Sequence, residues 1–171
     1  MDTLTLERSW DRLLPEESDS GYEYMDYVVN GASLSERFAN TYGAPKDVPV
    51  SSWFGNVTRI SNRWVAPALR EDLEMLTGRV IGELPSGRVP LYVCRVCADV
   101  ECGCYAARIT VGRESVVWSD FALEPVSEDA DEIASVGPFE FEQDAYMALI
   151  EGAFADSGLA MNETRPWWRL W

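Results

Sequence analysis

Between Tyr105 and Val111 the chain alternates. Tyr105, Ala107, Ile109 and Val111 fall on one side, and Ala106, Arg108 and Thr110 on the other. A strand with one buried face requires this period of two, because successive side chains leave a sheet on opposite faces. Arg88 to Cys94 upstream and Ser115 to Phe121 downstream have the same β-branched and aromatic character, and Gly112-Arg113-Glu114 between strands reads as a turn. Three consecutive strands with short connections predict an antiparallel meander over about 88–121. The rest of the chain must pack against it.

Helical periodicity supplies the covering elements. Over Pro67 to Thr77, Leu69, Leu73 and Leu76 share one face, Arg70, Glu71, Asp72 and Glu74 take the others, and Gly78 is placed to end the helix. A second helix is predicted over Glu142 to Ala155, with Tyr146, Leu149, Ile150, Ala153 and Phe154 as its apolar stripe. Earlier in the chain, Tyr22 to Val29 reads as a strand. Asn30-Gly31 is a hairpin turn, Ala32 to Leu34 pairs back, and Ser35 caps a short helix over Glu36 to Asn40. Residues 41–56 read as loop with a short strand at Val50 to Phe54, and 124–137 as an acidic loop. The expected fold is a single α+β domain over 1–171, the meander packed against two or three helices, with residues 1–20 as a strand or helix that could stand as an N-terminal appendage.

The ionisable side chains exclude much chemistry. The 171 residues include no histidine, so Ser-His-Asp and Cys-His nucleophile pairs and two-histidine metal motifs are impossible within this chain. Formal net charge is −15, which opposes direct binding to nucleic-acid phosphates or to an anionic membrane. The charge is unevenly spread: residues 31–119 hold nine acids and ten bases, whereas Asp120 to Glu163 holds twelve acids and no Lys or Arg. The longest apolar runs, such as Trp64 to Leu69, fall short of the ~20 residues of a membrane span. Met1 to Glu7 has neither the basic start nor the apolar core of a secretory leader. The expected location is the cytoplasm.

All four cysteines fall within eleven residues, as Cys94-x2-Cys97-x4-Cys102-x-Cys104. Three readings stand side by side. A structural zinc would take thiolates from Cys94, Cys97, Cys102 and Cys104, with Cys102 and Cys104 pointing to the same side of a strand. The same residues also fit reduced, inert thiols, or a redox pair at Cys94 and Cys97 with Arg95 beside it.

The stretch Gly87-Arg88-Val89-Pro90-Leu91-Tyr92-Val93-Cys94-Arg95-Val96-Cys97-Ala98-Asp99-Val100-Glu101-Cys102-Gly103, followed by Val116-Val117-Trp118-Ser119-Asp120-Phe121, resembles a family of small soluble bacterial proteins. These carry a C-x-x-C-G-D-x-x-C-G hairpin and a V-x-W-x-D-F strand. Gly137-Pro138-Phe139-Glu140-Phe141 and Tyr146 are similar to a later segment of the same family, so the resemblance spans about 67–155. The family has no established activity, and generic oxidoreductase labels occur among its members. Two departures stand out: Ala98 replaces a glycine, and Cys104 replaces a small apolar residue, so the fourth thiol lies outside the shared pattern.

Taken together, these features lead to the expectation of a non-enzymatic, immunity- or inhibitor-type acidic protein that masks a basic macromolecular partner such as a toxin or nuclease. Glu128, Asp129, Asp131 and Glu132 are the candidate acidic contacts, and Trp167, Trp168 and Trp171 the candidate aromatic anchors. A thiol redox enzyme using Cys94 and Cys97, or a zinc-stabilised adaptor, is the alternative. Trp64 and Trp118 read as core.

Overall fold

The computed structural model describes residues 1–11, 22–42, 57–61, 66–94, 98–124 and 131–156. The meander is present. Strands β4 (Val89–Tyr92), β5 (Cys104–Val111) and β6 (Ser115–Glu124) pair antiparallel in chain order. β6 runs three residues beyond the expected end and pairs two further segments along its outer edge. β7 (Asp131–Glu132) lies opposite Ala122 and Leu123, and β8 (Phe139–Glu142) opposite Ser115 to Trp118. The region read as an acidic loop thus contributes a short strand, and the edge of the sheet is one interrupted strand.

A second sheet has the order β1 (Leu4–Asp11), β2 (Tyr22–Val29), β3 (Ala32–Ser33). β1 is a strand paired residue for residue with β2, from Leu4 opposite Val29 to Asp11 opposite Tyr22. Asn30 and Gly31 both take positive φ, 53° and 74°, as the tight hairpin into β3 requires. Helix α1 (Leu34–Tyr42) then starts earlier and ends later than expected. Its cap is Ser33, whose Oγ accepts the Glu36 N–H at 3.2 Å; Ser35 instead turns its hydroxyl toward Asp26.

Helices α2 (Ala66–Leu76) and α3 (Gln143–Asp156) are the remaining helices among the described residues. Leu69, Leu73 and Leu76 are buried as expected, and so are Tyr146, Ile150 and Phe154, with Leu149 and Ala153 half-buried. α2 also buries Asp72, which the periodicity places among its exposed residues. One continuous core takes Tyr27 and Val29 from the first sheet, Tyr92, Tyr105 and Trp118 from the second, and residues from all three helices. The Asp2 N–H, donating to the Glu140 carbonyl at 2.6 Å, and the Val57–Val93 bridge tie other parts of the chain to the second sheet.

Trp118 sits at the centre, fully buried, edge-on to Tyr27, Phe141 and Tyr146. Its indole Nε1–H donates to the Tyr146 hydroxyl at 3.1 Å, and that hydroxyl donates to the Leu76 carbonyl at 2.9 Å. One oxygen therefore serves a strand and two helices. Tyr146→Phe strands a buried donor and a buried acceptor, each worth roughly 1–3 kcal/mol when unmet. The expected result is a lower urea midpoint with an unchanged slope. An unmoved midpoint would show that the hydroxyl is dispensable. The second tryptophan read as core, Trp64, lies outside the described residues.

Candidate functional site

The acidic region divides into two populations. On β8, Phe139 and Phe141 point into the core, so Glu140 and Glu142 must face outward, and both are exposed. Asp144 in the first turn of α3 and Glu132 on β7 are exposed too. Glu142 caps α3, its two carboxylate oxygens accepting the N–H groups of Asp144 (3.1 Å) and Ala145 (2.7 Å). These acids follow the outer edge of the second sheet into the helix. Of the expected contacts, Glu132 is on this edge, and the backbone of Asp131 pairs with Leu123. Glu128, Asp129, Trp167, Trp168 and Trp171 lie outside the described residues.

Other acids in the same run are neutralised internally. Asp120, Glu124 and Glu151 have no base near them in sequence, yet each meets an arginine delivered from elsewhere. Arg88, just before β4, lies on the side of the sheet away from the main core. Its Nη2 donates to Asp120 Oδ1 (2.7 Å), its Nε to the Asp120 carbonyl (2.7 Å) and its Nη1 to Glu124 Oε1 (2.8 Å). Ser86 Oγ donates to the same Glu124 oxygen at 2.5 Å, and Arg108 reaches Asp120 Oδ2 at 3.3 Å.

A bulge makes this cluster. Ala106 pairs with Ala122 but Arg108 pairs with Ser119, so Asp120 and Phe121 together stand opposite Ala107. Asp120 has φ 53°, in the left-handed region that a non-glycine residue rarely enters, and the bulge turns its carboxylate toward both arginines. Hydrogen bonding from Arg88 is the main reason that the Asp120 carboxyl is held below the usual carboxylate range.

A second cluster anchors the cysteine-bearing loop. Arg59 Nη1 donates to Asp72 Oδ1 (2.8 Å) and Glu83 Oε1 (2.9 Å), while its Nε and Nη2 donate to the Ala98 carbonyl (3.2 and 3.1 Å). Ala98 has φ 57°, in the left-handed region that glycine enters more readily than alanine. Asp72 is 5% exposed, and its Oδ2 has no hydrogen-bond partner among the described residues. Burial pushes its carboxyl up to about 6, against the pull of Arg59 and with smaller upward contributions from Glu83 and Glu71.

The described cysteines differ in burial. Cys104 is buried with Leu84, Val93 and Ala106, covered by Ala98 and Val100 of the loop, and burial pushes its thiol up to about 12. Cys102 is exposed and Cys94 half-buried; Cys97 lies outside the described residues. The expectation that Cys102 and Cys104 point to one side is corrected: Cys102 belongs to the 3-10 turn Val100–Cys102, and the strand begins only at Cys104. Among the described residues no three Cys, Asp or Glu side chains are grouped so as to hold a metal ion.

The fold and these clusters define an α+β protein with an acidic sheet edge and two internally neutralised arginine centres. Compared with known proteins, the chain matches no family model, no curated protein and no solved structure. No described helix is long and apolar enough to cross a membrane.

Proposed function

We propose that the protein is a non-enzymatic acidic binder of the immunity or inhibitor type that masks a basic macromolecular partner, docking through the edge formed by β7, β8 and the start of α3. The observation that carries this reading is the outward placement of Glu132, Glu140, Glu142 and Asp144 along that edge, in a chain of net charge −15. Exposed carboxylates gathered on one edge steer a cationic partner more effectively than the same charge scattered for solubility. The internal pairing of Asp120, Glu124 and Glu151 sharpens the reading, because it removes from the candidate surface those acids whose charge is matched by an arginine.

The test is capture from the lysate of the source cell at low salt, followed by association kinetics with the captured protein. A basic partner is expected, with an on-rate that falls at least about tenfold between low salt and about 0.5 M. Glu132→Lys combined with Glu140→Lys is expected to slow association further without changing the thermal midpoint. Association indifferent to salt and to both substitutions would refute the docking edge.

A further inference from the structure

β1 lies at the outside of the first sheet, and among the described residues its outer edge is open. The Asn30 N–H donates to the Thr3 carbonyl at 2.9 Å, and the register with β2 is unbroken from Leu4 to Asp11. Backbone groups of successive residues in an antiparallel strand face alternate sides. Thr5, Glu7 and Ser9 therefore turn theirs toward β2, and Leu4, Leu6, Arg8 and Trp10 turn theirs away. Asp2 shows what that outer side accepts, since its N–H donates to the Glu140 carbonyl of β8 at 2.6 Å. Beyond Asp2, no described strand or backbone group pairs with it. The strand carries neither the proline nor the bulge that commonly blunts an exposed edge. A row of backbone donors and acceptors is thus presented in the extended form that an incoming strand requires.

Charge selects what can pair there. Residues 1–30 hold eight acids and two arginines. Glu7 is exposed with no ion-pair partner among the described residues, whereas Arg8, the one base on the strand, meets Glu23 at 3.5 Å. A second copy fits badly. The longest two-fold register sets Leu4 against Trp10 and Leu6 against Arg8, and so puts Glu7 against itself. An extended segment with Lys or Arg opposite Glu7 fits well, and at the Asp2 end it runs beside the exposed Glu140. We propose that the outer edge of β1 takes up an extended, Lys- or Arg-bearing segment of the basic partner as a further strand of the first sheet. This rests on the reading of the protein as an acidic binder, and it adds backbone pairing to attraction between charges.

The probe is a capped, alternating Lys-Val peptide, added to isotope-labelled protein at about 10 mM salt and followed by amide exchange. Exchange at Leu4, Leu6 and Arg8 is expected to slow, and exchange at Thr5 and Glu7, already bonded to β2, to stay as it was. Arg8→Pro removes one outward N–H and sets a ring in the path of a new strand without touching a bond to β2. It is expected to weaken peptide binding at least about tenfold. The same peptide methylated at every backbone nitrogen keeps its charge and loses its donors. It is expected to bind the wild-type protein at least about tenfold more weakly, a result independent of how well Arg8→Pro folds. No binding, binding without the alternating protection, or equal binding of the methylated peptide would overturn strand addition. The Glu132→Lys, Glu140→Lys protein separates this proposal from the docking edge. Equal binding of both peptides that is lost in that variant leaves the docking edge standing and strand addition refuted. Alternating protection that persists in it supports β1 and counts against the docking edge.

Discussion

Replacing Arg88 by methionine is expected to cost about 3–5 kcal/mol and, for a chain of this length, to lower the thermal midpoint by roughly 10 °C. The reason is what the substitution leaves behind. Arg88 and Glu124 are both buried, and Arg88 also holds the side chain and the carbonyl of Asp120 in its left-handed bulge. Without the guanidinium, Glu124 is left buried with Ser86 as its remaining hydrogen-bond partner among the described residues, and the backbone strain at Asp120 loses its restraint. Arg88→Lys is expected to rescue little, since one ammonium cannot span three acceptors set for a planar fork. Arg88→Met with Glu124→Leu is expected to recover more than half of the loss, because the pair is then removed with its desolvation cost. Removing Arg8, whose partner Glu23 is also solvent-exposed, is expected to produce no measurable change and serves as the control. A single-variant loss below about 1 kcal/mol would mean that the cluster is an ornament of the sheet rather than a brace.

This cluster also marks where reading the sequence stopped short. The alternation along Tyr105 to Val111 located β5, but the expected single buried face holds only in its second half, because Cys104 to Ala107 are buried on both faces. Downstream, Val116 and Trp118 point inward at even positions, then Phe121 and Leu123 at odd ones. That switch of parity is the local signal of a one-residue bulge, and it was available in the sequence. Its partner was not: Arg88 lies more than thirty residues away, and only the pairing of β4, β5 and β6 brings the two together. β7 was illegible for a related reason. Two acidic residues have no strand preference of their own, and they pair because β6 extends far enough to offer an edge.

The burial of Asp72 has the same origin, since helical periodicity assigns a face by apolar residues and reads a carboxylate as outward. What drew it inside is Arg59, whose described neighbours, 57–61, form only isolated bridges. The cysteine spacing was equally visible and equally incomplete. It announced a cluster, but only the intervening 3-10 turn shows that Cys102 and Cys104 part company. For the candidate docking edge, composition located the acids, and the pairing of β8 against β6 determined which of them are available to a partner.

Asp72 gives the fold an unusual pH response. Most carboxylates that matter to a native state are held low, as Asp2 and Asp120 are here, and their contribution is lost as pH falls through their folded-state values. Asp72 has the opposite sign. Its carboxyl is raised from 3.8 to about 6, so between these values the folded chain binds a proton that the unfolded chain does not. Stability is therefore expected to increase as pH falls from 7 towards 4, by about 3 kcal/mol if the whole displacement is expressed, and to decline only below that as Asp2 and Asp120 protonate. The groups facing Asp72 support this direction. Arg59 is shared with Glu83 and the Ala98 carbonyl, Glu71 and Glu83 add negative charge, and Oδ2 is buried without a partner among the described residues. Asp72→Asn removes the titration while keeping an oxygen for Arg59, so its stability is expected to be flat over the same window. Urea unfolding of both proteins at intervals between pH 7 and pH 4 measures the difference directly, and a carboxyl carbon shift titrating near 6 in the wild type identifies the group. Parallel profiles for the two proteins would place the ionisation elsewhere and leave Asp72 an ordinary buried ion pair.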